Sequence, residues 1–171
     1  MLKKNLAFGS GLLGIFSIVG ITVLIQNLSW AASISCVGFT GFCLGTTGDD
    51  IINGGGEAEI IDGLAGNDIV NAGGGDDDVC GGGGNDKIHG GNGDDRLIGD
   101  AFLCKSEGNP GADRITGGPG NDILTHSHAW TLEPDGHKDF LDCGPGDDTV
   151  YINTSVDHDQ AATNCEHVNT G

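Results

Sequence analysis

Large aromatic and basic side chains are scarce in this sequence of 171 residues, which has two Trp, one Tyr and six Phe, and seven Lys and Arg together. Few aromatic residues leave little material for an ordinary globular core. Few basic residues, set against 25 Asp and Glu, give a net charge of −18. Such a chain repels nucleic acid and anionic lipid and attracts cations. We therefore do not expect a nucleic-acid partner.

Two common catalytic signatures are also missing from the sequence, His-Glu-x-x-His and Gly-x-Ser-x-Gly. Acidic runs such as 76–78 belong to a repeating turn pattern, not to a catalytic pair. One long apolar run occurs, at the N-terminus, so the rest of the chain has no segment for a pore. We expect neither an enzyme nor a pore-forming toxin, and no small-molecule substrate is evident.

The N-terminal apolar run has the order of a secretory signal peptide. Lys3 and Lys4 precede apolar residues 6–28, and the small residues of SWAA follow at 29–32. We predict a signal peptide over 1–31, with cleavage after Ala31 or Ser33. The alternative is an uncleaved membrane anchor, because about 20 apolar residues can span a bilayer. In both cases the remaining chain is expected to be extracellular.

Six cysteines follow this segment, and an even number in an exported chain favours disulfides. Cys36 with Cys43 would close a small loop, and Cys143 with Cys165 would tie the C-terminal tail back to the preceding segment. Cys80 and Cys104 remain, and whether they can meet depends on the fold.

The dominant feature of the sequence is a period of nine residues, seen in GLAGNDIVN from 63, GGGGNDKIH from 81 and GGPGNDILT from 117. Further blocks begin at 45, 54, 72, 90, 108, 134 and 143. The first and fourth positions are mostly Gly, as tight turns and close backbone contacts require. The acidic sixth position holds Asp50, Glu59, Asp68, Asp77, Asp86, Asp95, Asp113, Asp122, Asp139 and Asp148. The eighth position is always aliphatic.

This pattern predicts an all-β fold, a right-handed parallel β-roll or solenoid with two nonapeptide blocks in each coil of 18 residues. Each block would be a six-residue turn and a three-residue strand, with position eight inward and positions seven and nine outward. We predict an N-terminal cap over 32–44, the roll over 45–151 and a C-terminal cap over 152–171, with the caps tied by disulfides.

Two breaks interrupt the repeat, near 99–107 and 126–133. The first spans nine residues, so it can stay in the coil or be extruded as a loop. We favour extrusion, which decides the row of turns that Asp113 and Asp122 join and lets Cys104 fold back onto Cys80. The second contains His126 and His128, with His137 nearby. A His-x-His pair can ligate zinc, but we interpret these as surface loop histidines.

Stacked coils would bring the position-six carboxylates above one another, and each close pair of like charges costs about 1 kcal/mol even in a water-like dielectric. A cation between successive turns reverses the sign of this interaction. Carboxylate and carbonyl oxygens suit Ca²⁺, which accepts six to eight oxygen ligands. Zinc or copper would need repeated Cys or His. The sequence therefore predicts several calcium ions as its cofactors.

These blocks resemble the G-G-x-G-x-D-x-U-x nonapeptide of the repeats-in-toxin (RTX, hemolysin-type) calcium-binding proteins. The resemblance covers about 45–151. It implies that position-six Asp residues ligate Ca²⁺ between turns two blocks apart, so that Asp86 acts with Asp68, and Asp95 with Asp77. Two blocks depart from the pattern: Glu57 and Glu59 replace Gly and Asp in one, and His137 and Lys138 occupy the turn in the other.

We thus expect an exported calcium-binding protein that folds when it binds Ca²⁺ and has a structural, surface or extracellular-matrix role. Ordering so glycine-rich a chain costs about 1–2 kcal/mol per residue, which a narrow core cannot offset without metal. The alternatives are an adhesive or carbohydrate-binding surface module and, less favoured, an accessory to a secreted enzyme. A cell-surface or matrix partner would be of unknown identity.

Overall fold

A computed structural model describes residues 31–37, 42–102, 106–107, 110–127 and 134–171. Every regular element within these ranges is a β-strand. The N-terminal strands are β1 (Ser33–Ser35), β2 (Phe42–Leu44), β3 (Ile51–Asn53), β4 (Ile60–Asp62), β5 (Ile69–Gly74), β6 (Asp78–Cys80), β7 (Lys87–Asn92) and β8 (Arg96–Phe102). The remaining strands are β9 (Ser106–Glu107), β10 (Arg114–Thr116), β11 (Ile123–Ser127), β12 (Phe140–Asp142), β13 (Thr149–Ile152), β14 (Gln160–Ala161) and β15 (His167–Thr170).

The strands form two parallel sheets, as the β-roll prediction requires. Sheet A has the order β1-β3-β5-β7-β10-β12-β14, and sheet B has the order β15-β13-β11-β8-β6-β4-β2. Up to β8 the chain alternates between the sheets at every strand, so two blocks complete one coil. Only β9 departs from this scheme, because it pairs antiparallel with the end of β8.

The position-eight side chains form the core between the two sheets. Ile52 pairs with Val70, and Val70 with Ile88, in register along sheet A. Ile61, Val79 and Leu97 do the same in sheet B. All ten of these aliphatic residues are at most 1% exposed, namely Ile52, Ile61, Val70, Val79, Ile88, Leu97, Ile115, Leu124, Leu141 and Val150. The inward orientation predicted for position eight is confirmed.

The predicted outward orientation of position nine is wrong for part of sheet B. Asp62, Cys80, Ile98 and Thr125 are at most 1% exposed. Cys80 and Ile98 pair across β6 and β8 and form a second, small apolar cluster. The nine-residue pattern alone does not predict this burial.

The turns place residues in the left-handed region at two repeat positions. Position four does so in five blocks, for example at Gly84 with φ of 116°, and position two in six, for example at Gly82 with φ of 114°. Leu64 occupies position two with φ of 78°, whereas the other five position-two residues with positive φ are Gly. Because L residues with a side chain avoid this region, Leu64 is a strained exception.

The first break is extruded from the coil, as favoured from the sequence. Ile115 pairs with Ile88, and the hydrogen bond between Asp86 and Asp113 spans 27 residues where an undisturbed coil spans 18. The second break adds to a coil in the same way, since Asp113 and Asp139 are 26 residues apart. We call residues 100–110 the first insertion and residues 127–135 the second insertion. Both leave a sheet B strand and return to sheet A, so they lie in the same row of turns on adjacent coils.

Both ends of the roll carry extra strands with a disulfide. Cys36 is bonded to Cys43, and Cys143 to Cys165, as predicted. The N-terminal segment contributes β1 and β2, and residues after 151 contribute β14 and β15, which pair with β12 and β13. Cys80 is also disulfide-bonded, whereas its predicted partner Cys104 lies outside the described residues.

The predicted signal peptide covers residues 1–31, and all of it except Ala31 lies outside the described residues. Among the described residues, no helix has the length and apolar character to cross a membrane.

Candidate metal centre

The acidic position-six side chains are buried and lie in two rows, one along each edge where a turn enters a sheet. Each position-six residue is at most 3% exposed. The first ladder consists of Asp50, Asp68, Asp86, Asp113, Asp139 and Asp159, and the second ladder consists of Glu59, Asp77, Asp95, Asp122, Asp148 and Glu166. All ten position-six residues predicted as metal ligands therefore lie in one of these two ladders.

Except in Glu59, one carboxylate oxygen of each ladder residue accepts from a backbone amide in the preceding coil. The Asp68 amide donates to Asp86 Oδ1 at 2.8 Å, and the Asp77 amide donates to Asp95 Oδ1 at 2.9 Å. The same bond links Asp86 to Asp113 and Asp95 to Asp122, both at 2.8 Å, despite the first insertion. These bonds bring together the residues paired in the prediction, Asp86 with Asp68 and Asp95 with Asp77.

The other carboxylate oxygen has no partner although it is buried. This holds for Oδ2 of Asp68, Asp77, Asp86, Asp95, Asp113, Asp122, Asp139 and Asp148, and for Oε1 of Glu59. A buried acceptor without a hydrogen bond costs about 1–3 kcal/mol, and a charged one costs more. Repetition of the same orphan oxygen in successive coils indicates a repeated cationic partner.

The space beside each orphan oxygen is kept open by glycine at position one. A Cβ atom on Gly81 would lie 2.5 Å from Asp86 Oδ2 and 2.8 Å from the carbonyl oxygen of Gly99, one coil later. Gly90 has the same relation to Asp95 Oδ2 and the Gly117 carbonyl. A carboxylate oxygen and a carbonyl oxygen thus approach one point between coils, and this donor set fits a hard cation such as Ca²⁺.

Burial raises the pKa of nine ladder carboxyl groups because it removes water from the charged form, namely those of Asp68, Asp77, Asp86, Asp95, Asp113, Asp122, Asp139, Asp148 and Asp159. The pKa of Asp68 rises to about 8, that of Asp86 to about 7 and that of Asp95 to about 6. Neighbouring carboxylates raise these pKa values further, and the hydrogen bond from the preceding coil only partly offsets the effect. Ionisation of these carboxyl groups is therefore unfavourable in the fold unless a cation compensates the charge.

The N-terminal ends of the ladders differ from the rest. Asp50 uses both oxygens, since Oδ1 accepts from the Ala32 amide at 2.6 Å and Oδ2 accepts from the Thr46 amide. Both carboxylate oxygens of Asp50 thus have hydrogen-bond partners, whereas Oδ2 of Asp68 and of Asp86 has none. Glu59 Oε2 accepts from the Gly55 amide at 3.3 Å, which leaves Oε1 as the orphan. Metal binding thus has less support at Asp50 than at Asp68.

Asp159 and Glu166 belong to the ladders but were not predicted as ligands from the sequence. The Asp139 amide donates to Asp159 Oδ1 at 3.0 Å, and the Asp148 amide donates to Glu166 Oε2 at 3.1 Å. The available signal was an acidic residue two positions before a small apolar residue, namely Ala161 and Val168. The missing glycines of the turn obscured it.

Position five also has a role that the sequence analysis did not assign. The Asn85 amide donates to Asn67 Oδ1 at 3.0 Å, and the Asn121 amide donates to Asp94 Oδ1 at 2.8 Å. These bonds run from a later coil to an earlier one, opposite to the position-six bonds. The preference for Asn or Asp at position five was visible in the sequence, and its purpose is to satisfy turn amides at the exposed surface.

His126, the first histidine of the second break, does not lie at the surface as predicted. His126 is fully buried, with Nδ1 3.2 Å from the carbonyl oxygen of Tyr151 and 3.7 Å from Asp159 Oδ2. The prediction of a surface histidine is wrong here, because β11 extends through His126 and carries it into the coil. His137 is exposed, and His128 lies outside the described residues. Across the described ranges, no three His, Cys, Asp or Glu side chains are arranged to hold a metal ion without other donors.

Two further carboxylates lie at the bases of the insertions and outside position six, namely Asp100, which is buried, and Asp135, which is partly buried. Asp100 is 3% exposed, and its Oδ1 accepts from the Gly111 amide at 3.0 Å. Burial raises the pKa of Asp100 to about 11, and the nearby carboxylates of Asp113 and Asp135 contribute. Nothing in the repeat pattern distinguishes these two residues, so sequence analysis did not select them.

Comparison with known proteins identifies the repeat. Residues 44–79, 53–88, 72–102 and 107–126 match the model of the RTX calcium-binding nonapeptide repeat, in four copies. Searches of curated proteins and of solved structures found no match to this chain.

Proposed function

Because this chain carries the RTX calcium-binding nonapeptide repeat across residues 44–126, we propose that it is an exported calcium-binding β-roll that folds as it binds Ca²⁺ and serves a structural role outside the cell. Calcium binding by a β-roll follows from the repeat itself. The coupling to folding, the export and the structural role are the parts that we infer.

The orphan oxygens of the two ladders carry this proposal. Asp68 and Asp86 of the first ladder, and Asp77 and Asp95 of the second, would hold ions together with carbonyls of position-one residues. At these points Ca²⁺ would compensate the negative charge and accept coordination from the oxygen atoms. The chain's own contribution is to bury the carboxylates, fix one oxygen of each on a backbone amide and leave the other free.

Charge explains why metal binding and folding would be one event. The chain has 25 acidic residues and a net charge of −18, and folding brings ten buried position-six acids into two rows. The apolar core is a single file of aliphatic side chains from each sheet. Without cations, this narrow core must offset both the carboxylate repulsion and the conformational entropy of a chain with 33 Gly. Folding free energy therefore comes largely from metal binding.

Circular dichroism tests the coupling. We expect the β-sheet signal in millimolar calcium and its loss in EDTA, with recovery on adding calcium back. Asp95→Asn, which removes a buried ladder charge, should weaken calcium binding by at least about tenfold, the effect of losing about 1.4 kcal/mol.

Asp94→Asn is the matched control for this variant. It makes the same change one residue earlier, at an exposed side chain whose accepting oxygen is retained. Its calcium affinity should stay within about twofold of wild type, since exposed charges interact weakly. Equal β-sheet content in EDTA and in calcium would overturn the coupling.

Export is supported by the N-terminal sequence and by the disulfides. Lys3 and Lys4 followed by an apolar run are typical of a signal peptide. Disulfides such as Cys36–Cys43 persist in oxidising compartments. Mass spectrometry of the secreted protein should give an N-terminus close after Ala31. An intact Met1 on the mature protein would instead indicate a retained anchor.

A further inference from the structure

The two insertions meet at their bases, where Asp100 and Asp135 face each other. Asp100 belongs to the end of β8, which pairs with β11 so that Asp100 is opposite Ser127, at the start of the second insertion. Asp135 is the last residue of that insertion. The carboxyl groups of Asp100 and Asp135 lie within hydrogen-bonding reach of each other. The pair is thus shared between two segments that the repeat does not specify.

Each of these carboxylates uses one oxygen to close its own insertion. Asp100 Oδ1 accepts from the amide of Gly111, where the first insertion returns to the coil, at 3.0 Å. Asp135 Oδ1 accepts from the amide of His137 at 2.8 Å. The main-chain amides of Asp135 and Gly136 are themselves held by Asp157. Both carboxylates are therefore fixed in place by the backbone.

The second oxygen of each carboxylate has no hydrogen-bond partner and is inaccessible to solvent. This applies to Asp100 Oδ2 and to Asp135 Oδ2. Asp100 is 97% buried, being 3% exposed, and the charges of Asp113 and Asp139 lie nearby with the same sign. Two buried acceptors facing each other need either a cation or a proton between them.

We propose that Asp100 and Asp135 bind a divalent cation, Ca²⁺, that joins the bases of the two insertions and is additional to the ions of the repeat ladders. Two carboxylates fill only part of a calcium shell of six to eight oxygens, so carbonyl oxygens and water complete it. The ion fastens the first insertion to the second.

This proposal rests on the proposed calcium-binding β-roll. Substitution of Asp100 or Asp135 by Asn tests the additional ion, because it leaves the ladder carboxylates of the β-roll unchanged. Asp100→Asn keeps the oxygen that accepts from Gly111 and adds an amide that can donate to Asp135 Oδ2. It therefore imitates a protonated Asp100 and removes a charge that the ion needs. Asp135→Asn is the second variant, and Asp94→Asn is the control that makes the same chemical change at an exposed turn. Circular dichroism in calcium checks that each variant is folded.

Calcium stoichiometry is measured on the full disulfide-bonded chain by equilibrium dialysis and native mass spectrometry. We expect one ion fewer in Asp100→Asn, in Asp135→Asn and in the double variant, because all three lose the same ion. Asp94→Asn should keep the wild-type number. In calcium, amide hydrogen exchange at Gly111 and His137 should quicken by at least about tenfold in Asp135→Asn, as loss of about 1.4 kcal/mol of local stability implies.

An unchanged stoichiometry in both single variants would overturn the site and identify a shared proton between Asp100 and Asp135, while the β-roll function would stand. No calcium uptake by the wild-type chain would overturn the β-roll function as well. A loss of two ions in either single variant would place Asp100 and Asp135 in the ladder sites and would contradict a separate ion.

Discussion

At position one of the repeat, glycine leaves a gap where two oxygen atoms meet. A side chain on Gly81 would enter the space between Asp86 Oδ2 and the Gly99 carbonyl. Gly56 provides a contrast, because a Cβ atom there would have no heavy atom within 4 Å. Neither residue has a positive φ angle. The need for glycine at Gly81 is thus one of space, and it can be tested without a change in backbone preference.

Gly81→Ala should lower both calcium affinity and the midpoint of thermal unfolding in calcium, whereas Gly56→Ala should leave both unchanged or slightly improved. The expected loss for Gly81→Ala is about 1–3 kcal/mol, the usual cost of forcing extra volume into a packed site. Calorimetric titration and thermal unfolding measure the two effects. Equal behaviour of the two variants would contradict an oxygen-lined space at Gly81.

Leu64 tests the other requirement for glycine, the backbone conformation. Its φ of 78° lies where an L side chain costs about 1–2 kcal/mol. Leu64→Gly should therefore stabilise the calcium-loaded protein by about 1 kcal/mol, seen as a higher unfolding midpoint. Ala65→Gly is the matched control, and it should destabilise the protein because Ala65 has no positive φ to relieve. A lower midpoint for Leu64→Gly would show that its side chain matters more than the strain.

At the scale of strands and turns, the nine-residue period was enough to predict the parallel sheets, the position-eight core and the partners of Asp86 and Asp95. These features follow from side-chain alternation and from stacking with a fixed repeat. The period did not set the length of the insertions, because both ladders continue across a coil of 27 residues and across one of 26 residues.

Features outside the period could not be predicted in this way. Asp100 and Asp135 acquire a common environment only because two insertions leave adjacent coils in the same row of turns. His126 is buried because β11 runs past the repeat, and Asp159 joins a ladder in a segment that has lost its glycines. In each case the decisive neighbour is distant in sequence, and a local pattern carries no information about it.

At the scale of the whole molecule, the raised pKa values of the ladder acids predict opposite responses to pH with and without calcium. The pKa values of Asp77, Asp86 and Asp122 in the metal-free fold are about 7, above the 3.8 of an ordinary Asp carboxyl group. Groups with raised pKa values favour the fold when protonated, so this contribution is full below about pH 4 and is lost as the pH rises through 6 to 8. In EDTA, the unfolding midpoint or residual β-sheet content should therefore fall between pH 5 and pH 8.

In calcium the sign reverses, because the ion binds the ionised carboxylates and competes with protons. The unfolding midpoint should rise over the same pH range. Thermal scans followed by circular dichroism at constant ionic strength measure both series. Parallel pH dependence in EDTA and in calcium would show that the ladder carboxylates do not bind the ion.

The direction of the position-six bonds gives the roll an order of assembly. Apart from Glu59, each ladder carboxylate accepts from the coil before it, as Asp86 does from Asp68 and Asp113 from Asp86. If the chain emerges from a membrane pore N-terminus first, each new coil brings the carboxylate that accepts from the position-six amide of the coil before it. The last carboxylates of the two ladders are those of Asp159 and Glu166, in the segment held by Cys143–Cys165. On the proposed export, calcium outside the cell would bind each coil as its turns are completed, so the roll would fold in the order in which its coils emerge.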